Sequence, residues 1–169
     1  MKQLAGVTSE DVDGDALVAF VSDDRAGAVV TFGGVVRNHD HGVAVTGIEY
    51  VGHPTADAVM RELVAEFADR EGVHSIAAQH RVGTLGIGGV ALFVAVAASH
   101  RAQAFGCASD LVERVKERLP IWKKQFLADG THEWSQCPRS GAADAERRGV
   151  PRAGAGVGLT PAIRGDARR

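Results

Sequence analysis

The residues of this chain best suited to chemistry gather around one break in pattern. Lys116 stands in Val115-Lys116-Glu117-Arg118, and Pro120-Ile121-Trp122-Lys123-Lys124 follows directly after Leu119. Pro120 must end or kink the helix that the preceding stretch describes, because proline lacks the donor and clashes with the turn before it. A Trp beside two lysines is poor material for a core, so this corner is read as an exposed site for an anion. Like charges nearby lower a lysine's pKa, and a lysine so poised can act as acid, base or nucleophile. Lys116 also has a plain structural explanation, since a cation in the last turn of any helix is favourable.

A second group opens the same helix at its other end. His100-Arg101 follows an apolar run, at a helix start where free N–H groups favour anions. Arginine adds a planar fork suited to phosphate, and histidine exchanges protons near neutrality. The alternative is an ordinary polar helix start with Ser99 as cap. Arg37, at the end of a buried strand, is either a third anion contact or simply a charged residue leaving a sheet. Arg101 and Lys116 are fifteen residues apart in sequence, or roughly 22 Å along a helix at about 1.5 Å per residue. One small ligand cannot touch both within a subunit. Either there are two sites, or a dimer sets one chain's His100-Arg101 beside another chain's lysines; the shared site is favoured here.

Three other groupings carry less. The loop Gly83–Gly89 has the wrong glycine order for a dinucleotide fingerprint and precedes a strand, so it reads as a turn. His39-Asp40-His41 offers metal ligands without a third at a recognisable spacing, and no metal is assigned. Cys107 and Cys137 lie 30 apart, which indicates neither a disulfide framework nor a zinc knuckle.

These side chains need a scaffold. Asp15–Ser22 reads as a short helix with Asp13 as its cap. Gly27–Val36 is apolar and β-branched, hence a buried strand, and Val43–Val51 resembles a second; a short polar connection between them suggests an antiparallel hairpin. Thr55–Arg70 is helical, with Val59, Met60, Leu63, Val64 and Phe67 on one face. Val73–Val82 and Gly89–Ala98 read as strands joined by the glycine-rich turn. The longest helix spans about Ala102 to Leu119, striped by Ala104, Ala108, Leu111, Val112, Val115 and Leu119. Turn-paired strands with helices between the pairs favour an α+β class over a doubly wound sheet.

At 169 residues, 45% hydrophobic and 24% charged, the chain has the size and composition of one soluble domain. A net charge of −2 argues against general nucleic-acid binding, which calls for a basic excess. The apolar run Gly88–Ala98 is too short to span a bilayer, and the N-terminus lacks a signal-peptide pattern. A reducing cytoplasm is the default location, with no nucleic-acid or membrane partner. Residues 138–169 hold seven Arg against three acids and few large apolar residues. They are read as a poorly ordered or loosely docked tail after a domain of 1–137.

Taken together, the pieces resemble a family, the large catalytic subunit of molybdopterin synthase. They are Phe32-Gly33-Gly34-Val35-Val36-Arg37-Asn38, Ile48-Glu49-Tyr50, His80-Arg81-Val82-Gly83, Ser99-His100-Arg101, Ala104-Phe105, Lys116, Pro120-Ile121-Trp122-Lys123-Lys124, Gly130 and Trp134. The resemblance covers about residues 27–134. It implies an α/β-hammerhead fold and a homodimer flanked by two small ubiquitin-like subunits, a heterotetramer. The small partner's Gly-Gly C-terminus would carry a thiocarboxylate whose sulfur goes to cyclic pyranopterin monophosphate, forming the dithiolene of molybdopterin in molybdenum cofactor biosynthesis. No cofactor is implied. Lys116 and Lys123 match the catalytic pair. Arg37, His100 and Arg101 match the positions that hold phosphate and pterin, and Val35, Val36, Lys124 and Gln125 complete the substrate contacts. A thiocarboxylate is already a nucleophile, so such an enzyme needs cations and a proton donor, and no cysteine.

Departures are visible. Gln125 stands where the family has Glu, and Val51-Gly52-His53 replaces an acidic or aromatic continuation. Arg139 is shifted by about two positions from the family's cross-dimer arginine. Two rival readings are a persulfide sulfurtransferase using Cys107 as carrier, and a non-catalytic adaptor that only docks a ubiquitin-like tail.

Overall fold

The computed structural model describes residues 1–136; the reading of 138–169 as a tail, and Cys137 and Arg139, lie outside the described residues. In chain order the elements are β1 (Lys2–Thr8), α1 (Gly14–Val21), β2 (Ala28–Val35), β3 (His39–Asp40), β4 (Val43–Gly52) and α2 (Ala56–Ala65). Then come β5 (Val73–Arg81), β6 (Gly83–Gly86), β7 (Val90–Ala98), α3 (Arg101–Arg118), β8 (Ile121–Leu127) and β9 (His132–Gln136).

The strands form two sheets. The first runs β1-β5-β7-β2, with β1 parallel to β5 and the other pairs antiparallel. β7 is nearly continuous apolar sequence because both its faces are covered. On one face lie α2 and α3, which bury Met60, Leu63, Val64, Leu111 and Val115 against Ile76, Val94 and Val96. On the other, Leu17 and Val21 of α1 sit on Ala77, Ala95 and Ala97, whose small side chains let the helix approach closely. Leu111 is fully buried, worth about 1.5–3 kcal/mol relative to exposure. The Asp13 carboxylate caps α1 by accepting from Ala16 N–H at 2.9 Å, as expected. The second sheet runs β3-β4-β8-β9, with β6 on the remaining edge of β4, around a smaller core of Val36, Val45, Ile48, Leu85, Ala91 and Leu127. The α+β class is what the structure shows.

Four expectations change. β2 and β4 do not form a hairpin: β2 pairs with β7, and β4 lies in the other sheet between β6 and β8. The β2–β7 register breaks at Gly34/Val35, and the buried Val36 side chain then enters the second core, so the chain changes sheets there. The short hairpin is instead β3–β4, turned by His41 and Gly42 at φ of 46° and 84°, the left-handed pair a two-residue turn needs. The glycine-rich turn between β5 and β7 contains β6, paired to β4 over Gly47–Tyr50. The run after Pro120 is a strand rather than an exposed turn, with β8 held between β4 and β9. Finally, α2 stops at Ala65, five residues before the expected end, and β1 was not read from the sequence at all.

Candidate functional site

Lys116 lies in the last turn of α3, half-buried, with Nζ 4.0 Å from Glu113 Oε1. Its side chain borders a cavity of about 130 Å³ walled by Phe32, Val35, Tyr50, His80, Leu92 and Leu119. The helix stripe explains the placement. Val115 and Leu119 face the core, so the residue next to Val115 falls on the helix flank, beside the β2 side of the sheet. Lys123, on β8, borders a second cavity of about 170 Å³ together with Val35, Arg37, Asp40, Tyr50 and Gln125. Val35 and Tyr50 wall both cavities. Two lysines from different elements therefore flank one pair of adjoining hollows.

Each lysine meets oxygen rather than another cation. Lys123 Nζ is 3.4 Å from Asp40 Oδ2 and donates to Gln125 Oε1 at 3.2 Å. Lys124 Nζ lies 3.8 Å from Glu49 and 5.2 and 5.6 Å from the ring centroids of Phe126 and Trp134. The expected cluster of mutually repelling ammonium groups is replaced by separate ion pairs, because β8 is a strand whose successive side chains alternate faces. Lys123 and Gln125 face the cavity. Trp122, Lys124 and Phe126 share the opposite face, so Lys124 is not brought to Lys123, and Trp122 does not wall the hollow. Trp122 is half-buried, and its strand register is with Val51 and Gln136.

Arg37 reaches the second cavity and pairs with Asp40 at 3.1 Å. Asp40 thus joins Arg37 and Lys123, a role not foreseen when His39-Asp40-His41 was weighed only as a metal motif. Among the described residues no group of three metal-ligating side chains is found. Gln125 is 5% exposed, and in place of a glutamate it accepts from Lys123 without adding charge; the carboxylate comes from Asp40. Val35 is exposed at the mouth. Val36 is turned into the second core, and its N–H and C=O bond to Gly89 and Gly88, so it presents no side chain to either cavity.

His100 and Arg101 are exposed at the far end of α3. His100, not Ser99, is the N-cap residue, and its N–H donates to Gln103 Oε1 at 3.0 Å. The Ser99 hydroxyl is bonded to His74 Nε2 at 2.8 Å, and its backbone N–H donates to Gly72. Within one chain this pair does not meet the lysines.

What such an arrangement can do follows from its parts. The first hollow is an apolar slot with an ammonium at its rim, suited to a narrow uncharged backbone that ends in an anion. The second offers a guanidinium, an ammonium and a carboxylate around a polar space, suited to a second anion and to proton transfer.

Residues 7–118 match the model of the MoaE protein family. The chain belongs to the MoaE family. It is 33% identical to the molybdopterin synthase catalytic subunit of Thermoplasma volcanium over 129 residues, covering 76% of this chain and 94% of that one. It is 36% identical to molybdopterin synthase catalytic subunit 1 of Mycobacterium tuberculosis over 130 residues, covering 76% and 87%. The fold is similar to the crystal structure of molybdopterin synthase from Staphylococcus aureus, with a TM-score of 0.71 and 30% identity over 78% of this chain and 96% of that one.

Within this family frame, two site-lining residues had a signal in the sequence but were given no role there. Tyr50 and His80 both lie in the motif pieces quoted above, and their rings meet edge to face at 5.2 Å between centroids. Burial pushes the His80 pKa down to about 4. Cys107 is fully buried on α3, and burial pushes its thiol up to about 11. A thiol so held is almost wholly protonated at neutral pH and is a poor nucleophile.

Proposed function

We propose that this chain is the catalytic subunit of a molybdopterin synthase, moving sulfur from the thiocarboxylated Gly-Gly tail of a small ubiquitin-like subunit to cyclic pyranopterin monophosphate. The observation that carries the reading is the placement of Lys116 and Lys123 on adjoining cavities that share Val35 and Tyr50. The family match and the naming of the relatives as catalytic subunits support it. In this reading the tail lies in the apolar slot with its thiocarboxylate at Lys116. Lys123 and Arg37 face the pterin phosphate or the oxygen that leaves, with Asp40 and Gln125 holding Lys123 in place. The sulfur anion attacks the pterin carbon, a lysine ammonium supplies the proton to the departing oxygen, and water then cleaves the resulting thioester, leaving the sulfur on the pterin and a carboxylate on the small subunit.

The remaining anion contacts, His100 and Arg101, would come from a second copy of the chain. Support lies in the first sheet's β2 edge, which leaves Val29 and Val35 exposed, and in Phe105 on α3, 63% exposed one turn from Arg101. Apolar side chains of this size on an unpaired edge suit a covered surface. Such a dimer, with a small subunit on each copy, would make a heterotetramer. A cytoplasmic location fits this chemistry, and among the described residues no helix is long and apolar enough to cross a membrane.

The test is product formation with thiocarboxylated small subunit and cyclic pyranopterin monophosphate. Wild type is expected to form the dithiolene, Lys116→Ala to lose about 10²-fold or more, and Cys107→Ala to stay within about twofold. Full turnover by Lys116→Ala would overturn the assignment. Tail binding without product from wild type would favour the adaptor, and loss only in Cys107→Ala the persulfide carrier.

A further inference from the structure

His80 sits on β5, 4% exposed, against the cavity that Lys116 borders. Its Nδ1 lies 2.8 Å from the backbone oxygen of Arg81. A carbonyl only accepts, so Nδ1 carries the proton, and in a neutral ring Nε2 is then a bare acceptor. Desolvation keeps the ring neutral well below neutral pH. The other walls of the cavity are Phe32, Gly34 and Val35 from β2, Ala91 and Leu92 from β7, and Val115, Leu119 and Ile121 around the end of α3. None of these brings a polar side-chain atom. Besides Tyr50, whose ring packs on the imidazole, His80 is the wall residue able to accept from a cation.

That matters for Lys116. Its Nζ lies only at the limit of an ion pair with Glu113 on its own helix, on a half-exposed side chain. An ammonium that turns inward to meet a ligand in the slot leaves water and must find acceptors there. A neutral imidazole provides one without competing for the ligand's negative charge, as a carboxylate would. Lysine's long flexible stem can make the move.

Resting on the function proposed above, we infer that His80 is a positioning residue for Lys116: its Nε2 accepts a hydrogen bond from the inward-turned ammonium and aims it along the slot. The fixed Nδ1–H···O=C bond orients the ring, and the edge-to-face contact with Tyr50 keeps it from rotating.

The test is a double-mutant cycle in the complete synthase, scored by kcat and KM for the thiocarboxylated subunit. Asparagine at this position mimics Nδ1 but reaches no farther, whereas glutamine can place an acceptor near Nε2. His80→Asn is expected to lower kcat about 10- to 50-fold with KM within about threefold, and His80→Gln to stay within about fivefold of wild type. In a Lys116→Ala background His80→Asn should cost almost nothing more, because both changes remove one interaction. The inference is overturned if His80→Asn keeps full kcat, or if glutamine rescues no better than asparagine. It is also overturned if His80→Asn costs the same factor with and without Lys116, which is the result of a purely structural role. An inactive wild type with authentic partner and pterin would instead remove the functional reading beneath it, and the inference with it.

Discussion

A histidine buried without a counter-ion leaves a mark on stability as well as on the site. The His80 pKa is near 4 in the folded chain, against an unfolded value of about 6.5. Between those two pH values the unfolded state binds more protons, so stability rises with pH across this window and falls on acidification through it. The difference is on the order of 3 kcal/mol, complete below pH 4 and absent above about pH 6.5. Urea unfolding at pH 7 and pH 4.5 should show wild type losing more than His80→Gln, by about 2 kcal/mol or more. Equal losses would mean that the ring takes up a proton in place. This residue was in plain view within His80-Arg81-Val82-Gly83, yet its role was not readable. Burial against a cavity depends on β5 meeting α3 and β4, and no local pattern encodes that. The lysines were easier, because a cationic helix end followed by Pro120 is a local signal. What that signal lacked was the partner of each charge: Asp40 for Lys123 and Glu49 for Lys124 come from β3 and β4, more than seventy residues earlier.

Elements decide which of two neighbouring lysines faces the cavity. Read as a turn, Trp122-Lys123-Lys124 would offer both ammonium groups to one ligand. As β8 it cannot, since alternate side chains face opposite ways. Lys123→Ala is therefore expected to reduce turnover about 10²-fold, whereas Lys124→Ala should change it by less than about threefold while weakening the packing of Phe126 and Trp134. Steady-state assays on the two variants check this, and equal losses would contradict the assigned faces. The helices and the β5–β7 pair were legible because their apolar periodicity extends over many residues, as in the α3 stripe from Ala104 to Val115. β8 and β9 were not, because their mixed polar sequence is stabilised by sheet partners rather than by pattern. The expected β2–β4 hairpin failed for a related reason. Short polar connections suggest pairing, but Val36 leaves for a second core that only Val45, Ile48, Leu85 and Leu127 together create.

At the scale of the whole molecule, α3 acts as a spacer. It holds His100-Arg101 and Lys116 at opposite ends, so these two groups of one chain cannot meet on one small ligand. The body of the chain is net acidic, and an anion must be attracted by a local meeting of cations. A second copy against the β2 edge supplies that meeting in the proposed dimer, and closed two-fold symmetry would give two equal sites. The most direct measurement uses two inactive chains, Lys116→Ala and Arg101→Ala, refolded together and assayed for dithiolene formation with thiocarboxylated small subunit. If each site draws its lysine from one chain and its arginine from the other, every mixed dimer contains one intact site, and an equal mixture should recover about a quarter of wild-type activity. Recovery no greater than the sum of the two parent variants would contradict a site shared between subunits.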